Sequence, residues 1–231
     1  MKRAVRLALV SVCAFSSVLA AGCGGGDEPY KATPAFSGRK VNMPAPPTLP
    51  ATPIKVGDAF TIYGAQHHLK SRIHDKEVTS KDIVIQGYIV KSNIPDAPSC
   101  AIHKTGKKDA DDCNAEIPSF WIADQKGDTK TMVRVLGWSK NFASVYDAME
   151  KYKALKEPPK ELFKDEIWGV EVPFPIPAVG AKVKITGKYG TTFSKSSTGI
   201  VSDPNNGVLT YGKMEVLEPA SEPAAFKNKP K

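Results

Sequence analysis

The chain has 231 residues, of which 32 are Lys or Arg and 24 are Asp or Glu, so its formal net charge is +8 at pH 7. A charge of this size does not by itself indicate a nucleic-acid-binding protein, because such domains are usually more basic and carry their charge in clusters. It suits an acidic partner surface or anionic lipid headgroups.

The N-terminal segment has the composition of an export signal. Lys2, Arg3 and Arg6 give it a positive start, and residues 7–21 form an apolar run that only three serines interrupt. The run is shorter than a typical transmembrane helix. We therefore predict a signal peptide over residues 1–22. Its removal lowers the net charge from +8 to +5, because it takes away three basic residues and no acidic one.

Small residues at positions 20–22 lie directly before Cys23. This pattern resembles a bacterial lipobox, although Leu19 lies one place earlier than the usual leucine and Ala20 takes its position. The resemblance implies cleavage before Cys23 and lipid attachment to it; the alternative is a plain cleaved signal. In enteric bacteria an Asp directly after the lipidated cysteine resembles a signal for retention in the inner membrane. Because Gly24 stands at that position here, we expect a lipid anchor in the outer membrane facing the periplasm. The inner membrane and the cell surface are the alternative locations.

Composition divides the rest of the chain into three parts. Residues 23–53 hold three consecutive glycines and seven prolines, with little to bury, which predicts a tether behind the lipidated cysteine. Residues 54–218 are long enough for one domain with a hydrophobic core. Residues 219–231 are poor in apolar side chains, which predicts a flexible tail.

Most of the domain has the apolar alternation of β-strands. Six segments show it, and each is bounded by Gly, Pro, Asn or Asp: 59–69, 82–91, 119–124, 131–138, 180–190 and 207–218.

One segment, 141–157, has helical spacing instead. Its apolar residues recur at i, i+3, i+4 and i+7 from Phe142. Ser139 or Asn141 can cap its start, and two prolines at 158–159 end it.

The order of these elements resembles the oligonucleotide/oligosaccharide-binding (OB) fold, in particular bacterial OB domains like the anticodon-binding group. The matching motifs are a central Gly87 in the first strand, Asp124 and Gly127 in a hairpin, and G-x-x-V-x-I-x-G at 180–187. The resemblance implies a mainly β fold: a five-stranded OB-type β-barrel with one helix between its third and fourth strands. An extra N-terminal strand at 60–69 and long loop insertions would be additions.

Two of the insertions, 92–118 and 191–206, occupy the loops that flank the ligand groove in OB domains. The first contains Cys100 and Cys113, which are the cysteines left once the signal is removed and Cys23 is lipidated. Outside the cytoplasm such a pair is expected to form a disulfide. The alternatives are a metal site with His103 and a calcium loop among the nearby acidic residues. The third insertion, 158–179, either packs beside the barrel or presents an apolar ridge.

Alternation along 180–190 places three lysines on the same side of one strand, opposite a buried side. If the domain binds a ligand, we expect it between the two elaborated loops, with more weight on basic residues than on aromatic ones. The candidate ligand-binding residues are Tyr88, Trp121, Arg134, Lys182, Lys184 and Lys188. The alternative is that these lysines form a solvated face that protects a sheet edge.

Nothing in the sequence indicates catalysis, a cofactor or a metal. There is no nucleophile elbow or phosphate loop, and the carboxylates are scattered. His67 and His68 are neighbours in a predicted strand and would point to opposite faces, so a metal site that includes them and His74 is not favoured.

The sequence therefore favours a membrane-anchored, non-catalytic OB-type module for binding or assembly in the bacterial cell envelope. Its expected partners are the membrane, through lipid, and an envelope protein or an anionic polymer. The alternative is a single-stranded nucleic-acid or oligosaccharide binder outside the cytoplasm, in which exposed aromatics alternate with basic residues.

Overall fold

A computed structural model of the chain describes residues 44–46, 48, 52–195 and 199–230. Of a first unit, Met1–Thr48, it describes four residues, which are exposed and have no regular secondary structure. The second unit, Leu49–Lys231, holds every described helix and strand. The predicted signal peptide, Cys23 and most of the predicted tether lie outside the described residues.

Most regular elements of the second unit are short, and the longest are three strands and two helices of 9–11 residues. In chain order they are β1 (Lys55–Val56), β2 (Ala59–Phe60), α1 (Ile62–Lys70), α2 (Asp75–Thr79), β3 (Asp82–Ser92), a 3₁₀ helix (Ser99–Ala101), β4 (Phe120–Ala123), β5 (Val133–Leu136), α3 (Phe142–Tyr152), β6 (Lys182–Gly190), β7 (Thr192–Ser194), β8 (Ile200–Ser202) and β9 (Val208–Glu218).

Seven strands form one mixed sheet in the order β1-β2-β3-β4-β5-β9-β6. β6 also pairs with β3, so β3, β4, β5, β9 and β6 form a closed ring of five strands. The pairs β2–β3 and β5–β9 are parallel and the others are antiparallel. The predicted mainly β class is confirmed, and the five ring strands coincide with five of the six predicted strand segments. β7 and β8 form a separate hairpin inside the 191–206 insertion.

The ring encloses the hydrophobic core. Along β6 the odd-numbered residues, such as Val183 and Ile185, are fully buried, and the even-numbered residues face outward. β6 and β9 approach so closely at Gly187 that a Cβ there would lie 2.0 Å from the carbonyl oxygen of Thr210. Glycine is therefore required at this crossing.

The predicted strand over 59–69 is wrong beyond Phe60, because the chain turns into helix α1. The Thr61 side chain caps the helix by accepting a hydrogen bond from the backbone N–H of Gly64, at 2.9 Å. The Asp124 carboxylate accepts from the backbone N–H groups of Ile62 and Tyr63, both at 2.8 Å. Four N–H groups at a helix start lack partners within the helix, so these contacts stabilise α1 over a strand.

The predicted helix after the third ring strand is confirmed as α3. The Asn141 side chain caps it by accepting from the backbone N–H of Ser144, at 2.9 Å. Its buried face includes Phe142, Val145 and Tyr152. The helix ends at Tyr152, five residues before the predicted end.

The 158–179 insertion packs on the domain. The Tyr152 hydroxyl donates to the carbonyl of Val172 and accepts from the backbone N–H of Phe163, both at 2.9 Å. Asp165 is fully buried in this segment. Val172 and Ile176 are buried in the main core cluster. Of the two alternatives for this insertion, the one in which it packs beside the barrel strands is therefore confirmed, and the one in which it presents an apolar ridge is wrong.

The C-terminal segment 219–230 differs from the predicted flexible tail. It has no helix or strand, but Phe226 packs against the rings of Phe142 and Tyr146, with centroids 6.3 and 6.4 Å apart. The Asn228 side-chain amide donates to the carbonyl of Ala97 at 2.7 Å. One aromatic residue and one amide thus anchor a segment whose composition is polar.

Cys100 and Cys113 are bonded to each other, as the sequence predicts. We expect the double variant Cys100→Ala/Cys113→Ala to lose about 3 kcal/mol of unfolding free energy, because the bridge restricts a short loop in the unfolded chain. Urea denaturation of the variant and the parent measures this. Mass spectrometry of the non-reduced parent should show the two peptides linked, and two free thiols would contradict the pairing.

Among the residues that the structure describes, no helix combines the length and the apolar character that a bilayer span requires.

Candidate binding face

Trp121 lies on the outward face of β4, between two basic residues of the neighbouring strands. It pairs in register with Lys91 of β3 and with Arg134 of β5. The Lys91 Nζ lies 4.7 Å from the centre of the indole ring, and the Arg134 Cζ lies 5.0 Å from it. Both distances are within the range of cation–π attraction. We call Lys91, Trp121 and Arg134 the tryptophan group.

A β-bulge brings Lys91 to this face. The register of β3 against β4 shifts between Ile89 and Lys91, so that two steps along β3 match one step along β4. Regular alternation from buried Ile89 would have turned Lys91 inward. The bulge explains why sequence alternation did not place Lys91 beside Trp121.

Arg134 is held firmly and is mostly covered. Its Nε and Nη2 donate to the Ser119 hydroxyl at 3.1 and 2.9 Å, and its Nη2 lies 3.6 Å from a carboxylate oxygen of Glu116. Burial lowers the pKa of Arg134, and the Glu116 carboxylate opposes that shift. The guanidinium remains a cation at neutral pH, because an arginine pKa starts well above that range.

A second group surrounds Tyr88 of β3. The ammonium groups of Lys126 and Lys182 lie 5.1 and 5.3 Å from the centre of its ring. Lys182 also contacts a carboxylate oxygen of Glu218 at 3.2 Å, and this hydrogen bond raises the pKa of Lys182. The carboxylate offsets part of the positive charge, so this group is less basic than its lysines suggest.

The three predicted lysines of β6 do lie on one side of the strand, but they do not form one open basic patch. Lys184 contacts Asp58 at 2.9 Å, and the hydrogen bond between them raises the pKa of Lys184. Lys188 is exposed and makes no side-chain hydrogen bond or ion pair with a residue that the structure describes. The six predicted ligand residues are thus divided between the tryptophan group, the Tyr88 group and two separate lysines.

The two elaborated loops meet at one end of the ring. Ile117 of the 92–118 loop packs in the same hydrophobic cluster as Phe193 and Val201 of the 191–206 loop. Leu136 of β5 and Val208 of β9 complete this cluster. Since Glu116 and Ser119 contact Arg134, the tryptophan group lies beside the first of these loops.

The two metal alternatives for the 92–118 loop do not fit the contacts there. The disulfide uses Cys100 and Cys113, and the His103 Nε2 lies 2.6 Å from a carboxylate oxygen of Asp109. Asp111 contacts Lys108 at 2.6 Å. These acidic side chains are directed at neighbouring basic groups rather than at a common point.

A cleft of about 620 Å³ lies elsewhere, between α3, residues 174–178 and the C-terminal segment. Its walls are mainly apolar side chains, and none of the six predicted ligand residues lines it. Because none of these six residues lines the cleft, we place the candidate site at the tryptophan group.

Comparison with known proteins gives no family for this chain. No family model matches it, and no curated protein matches it at a significant level. A solved structure described as an OBody bound to hen egg-white lysozyme is similar over 62% of this chain and 88% of that one, with 11% identity and a TM-score of 0.28. A TM-score this low supports no conclusion about the fold or the function of this chain.

Proposed function

We propose that this chain is a membrane-anchored, non-catalytic binding module of the bacterial cell envelope, with an OB-type β-barrel as its binding domain. The main support for this proposal is the tryptophan group. In it a partly exposed indole is flanked by two cations on the outward face of a closed ring of strands. Such a surface offers stacking and positive charge, which suits an acidic partner.

The arrangement of the ring supports the OB-type interpretation. In sequence order, helix α3 lies between the third and the fourth of the five ring strands. β3 pairs with β6 through its first half and with β4 through its second half, as a strand shared by two halves of a small barrel does. The two long loops meet at one end of this ring.

The preferred partner is an envelope protein with an acidic surface. The ion pairs of Lys182 and Lys184 reduce the uncompensated positive charge of the outward face. A long polyanion would need a continuous basic track, whereas an acidic side chain on a protein can be matched by the exposed ammonium group of Lys91 beside Trp121.

A single-stranded nucleic acid or an anionic oligosaccharide is the second candidate, and Trp121 is the observation that favours it. Bases and sugar rings stack on exposed aromatic side chains, and neighbouring cations attract the charges of the polymer. A fluorescence titration of the purified protein with a single-stranded oligonucleotide and with a sulfated oligosaccharide tests this candidate. Quenching that saturates at moderate salt and is lost in Trp121→Leu would favour it over the protein partner.

The membrane anchor predicts a simple result for Cys23. Changing Cys23 to Ser should abolish incorporation of labelled fatty acid into the protein. A Cys13→Ser variant is the matched control, because that cysteine leaves with the signal and should not affect labelling. Unchanged labelling of the Cys23 variant would contradict the anchor.

A further inference from the structure

We propose that His68, His74 and Glu77 form a binding site for a divalent transition metal of the Zn²⁺ type. One ligand atom from each of these residues lies within 4.8 Å of the other two. This inference is independent of the proposed binding function, since the cluster lies on α1 and α2 and shares no residue with the tryptophan group.

This cluster exists because residues 62–70 form a helix and not the predicted strand. His68 lies in the last turn of α1, His74 lies at the position directly before α2, and Glu77 follows one helical turn later. Residues three apart lie on the same face of a helix, so His74 and Glu77 point the same way. In a strand His67 and His68 would have diverged, and His74 would have had no defined relation to either.

The distances fit a metal with small adjustments. The Nδ1 of His74 lies 2.7 Å from Oε1 of Glu77, and the Nδ1 of His68 lies 3.5 Å from Oε2 of the same carboxylate. Ligand atoms about 2.1 Å from a tetrahedral Zn²⁺ are about 3.4 Å apart. The two histidine–carboxylate distances lie on either side of this value, and the ligand atoms of all three residues lie within 4.8 Å of one another.

His68 supplies a second, independent observation. Its Nδ1 is buried and has no hydrogen-bond partner among the described residues; the Glu77 oxygen at 3.5 Å is close but does not have hydrogen-bond geometry. Buried polar atoms nearly always have a partner, and an exception calls for an explanation such as a bound ion. A metal ion between His68 and Glu77 would satisfy this nitrogen.

The surrounding residues hold the cluster in place. The His68 ring packs edge-on against Phe60 at 5.4 Å and stacks on His74 at 5.0 Å between ring centres. The Ser71 hydroxyl accepts from the backbone N–H of His74 at 3.2 Å, and fully buried Val78 fixes α2 to the core. Preorganised ligands lose little freedom when an ion binds.

The donor set and the exposure indicate the type of site. Two imidazole nitrogens and one carboxylate oxygen suit Zn²⁺ and its neighbours better than Ca²⁺ or Mg²⁺, which prefer oxygen ligands. The side chains of His74 and Glu77 are 46% and 49% exposed, so solvent reaches one side of the cluster. Three protein ligands with an open side leave a fourth position for water or for a group of another molecule.

Isothermal titration of the full mature chain with Zn²⁺, and visible spectroscopy with Co²⁺, test this site. We expect one equivalent to bind, with an affinity at least about tenfold lower in His74→Ala and in Glu77→Gln. Both residues are exposed, so the variants should fold, and thermal melting checks that they do. His67→Ala is the matched control, because His67 is an exposed histidine beside the cluster but outside it.

Saturable binding that His67→Ala preserves and both ligand variants weaken would support the site. Absence of saturable binding would overturn it. Equal affinity in the parent, His74→Ala and Glu77→Gln would also overturn it, because the ion would then be bound elsewhere.

Discussion

Gly187→Ala is expected to lower the free energy of unfolding by at least about 3 kcal/mol, because the added methyl group has no space at the crossing of β6 and β9. Its Cβ would lie 2.0 Å from the carbonyl oxygen of Thr210, and the neighbouring atoms are backbone that cannot rotate away. The two longest-paired strands of the ring would have to separate locally. Urea denaturation followed by circular dichroism measures the change.

Gly190→Ala is the matched control for this substitution. Gly190 ends the same strand, and a Cβ there would have no neighbour within 4 Å. Its unfolding free energy should stay the same or rise by up to about 1 kcal/mol, because alanine restricts the unfolded chain. Similar losses in both variants would show that general strand propensity, and not the close crossing, determines the effect.

Asp165→Ala is expected to cost about 3–5 kcal/mol of unfolding free energy. The buried carboxylate accepts from the backbone N–H groups of Lys140, Ile167 and Trp168 at 2.8–2.9 Å. Removing it leaves several donors without an acceptor where water has little access. It also releases the connection between the start of α3 and the 158–179 segment.

Thermal and urea unfolding of Asp165→Ala should be compared with Glu166→Ala. Glu166 is the exposed neighbour and makes no side-chain hydrogen bond with a described residue, so its removal should change stability by less than about 0.5 kcal/mol. An Asp165→Ala protein as stable as the Glu166 variant would mean that water replaces the carboxylate, and the account of this buried contact would be wrong.

The ring strands could be predicted because their signals are local. Segments 82–91 and 180–190 combine alternating apolar residues with turn residues at their ends, and both form strands in the structure. The cap of α3 at Asn141 is local as well, since its partner Ser144 is three residues away. Signals of this kind are complete within one window of sequence.

Helix α1 was missed because part of its support is distant. Asp124, whose carboxylate accepts from the first helical N–H groups, lies 62 residues away from Ile62 in sequence. A local signal was also present: Ile62, Ala65 and Leu69 have helical spacing after the capping Thr61. The alternation around Phe60 and Ile62 favoured a strand instead, and the tertiary contact decided between the two.

The sequence was sufficient to predict most of the residues of the candidate site, but not which of them contact one another. Trp121 and Arg134 follow from alternation along β4 and β5. Lys91 reaches them through a bulge, and Lys184 meets Asp58 across 126 residues of sequence. Neither a bulge nor a long-range ion pair leaves a pattern in a short window, so the predicted row of free lysines overestimated the open charge.

The contacts of Lys182 and Lys184 also change which residues should dominate binding. Exposed ion pairs are weak, but each lysine that already faces a carboxylate gains less from an acidic partner. Within the tryptophan group Arg134 already faces Glu116, but Trp121 and Lys91 have no such competitor among their described contacts. The tryptophan group therefore becomes the centre of the proposed face, with the β6 lysines at its margin.

Capture of partners from solubilised cell envelopes tests the central proposal most directly. The bait is the lipidated chain, compared with the double variant Trp121→Ala/Lys91→Glu and with Lys160→Glu, which makes the same charge reversal at an exposed lysine outside the face. We predict that the parent and the Lys160 variant retain the same defined set of envelope proteins through a nuclease treatment. The double variant should lose them at least about tenfold while its circular dichroism stays intact. Equal capture by all three baits, or capture of nucleic acid alone, would contradict the account.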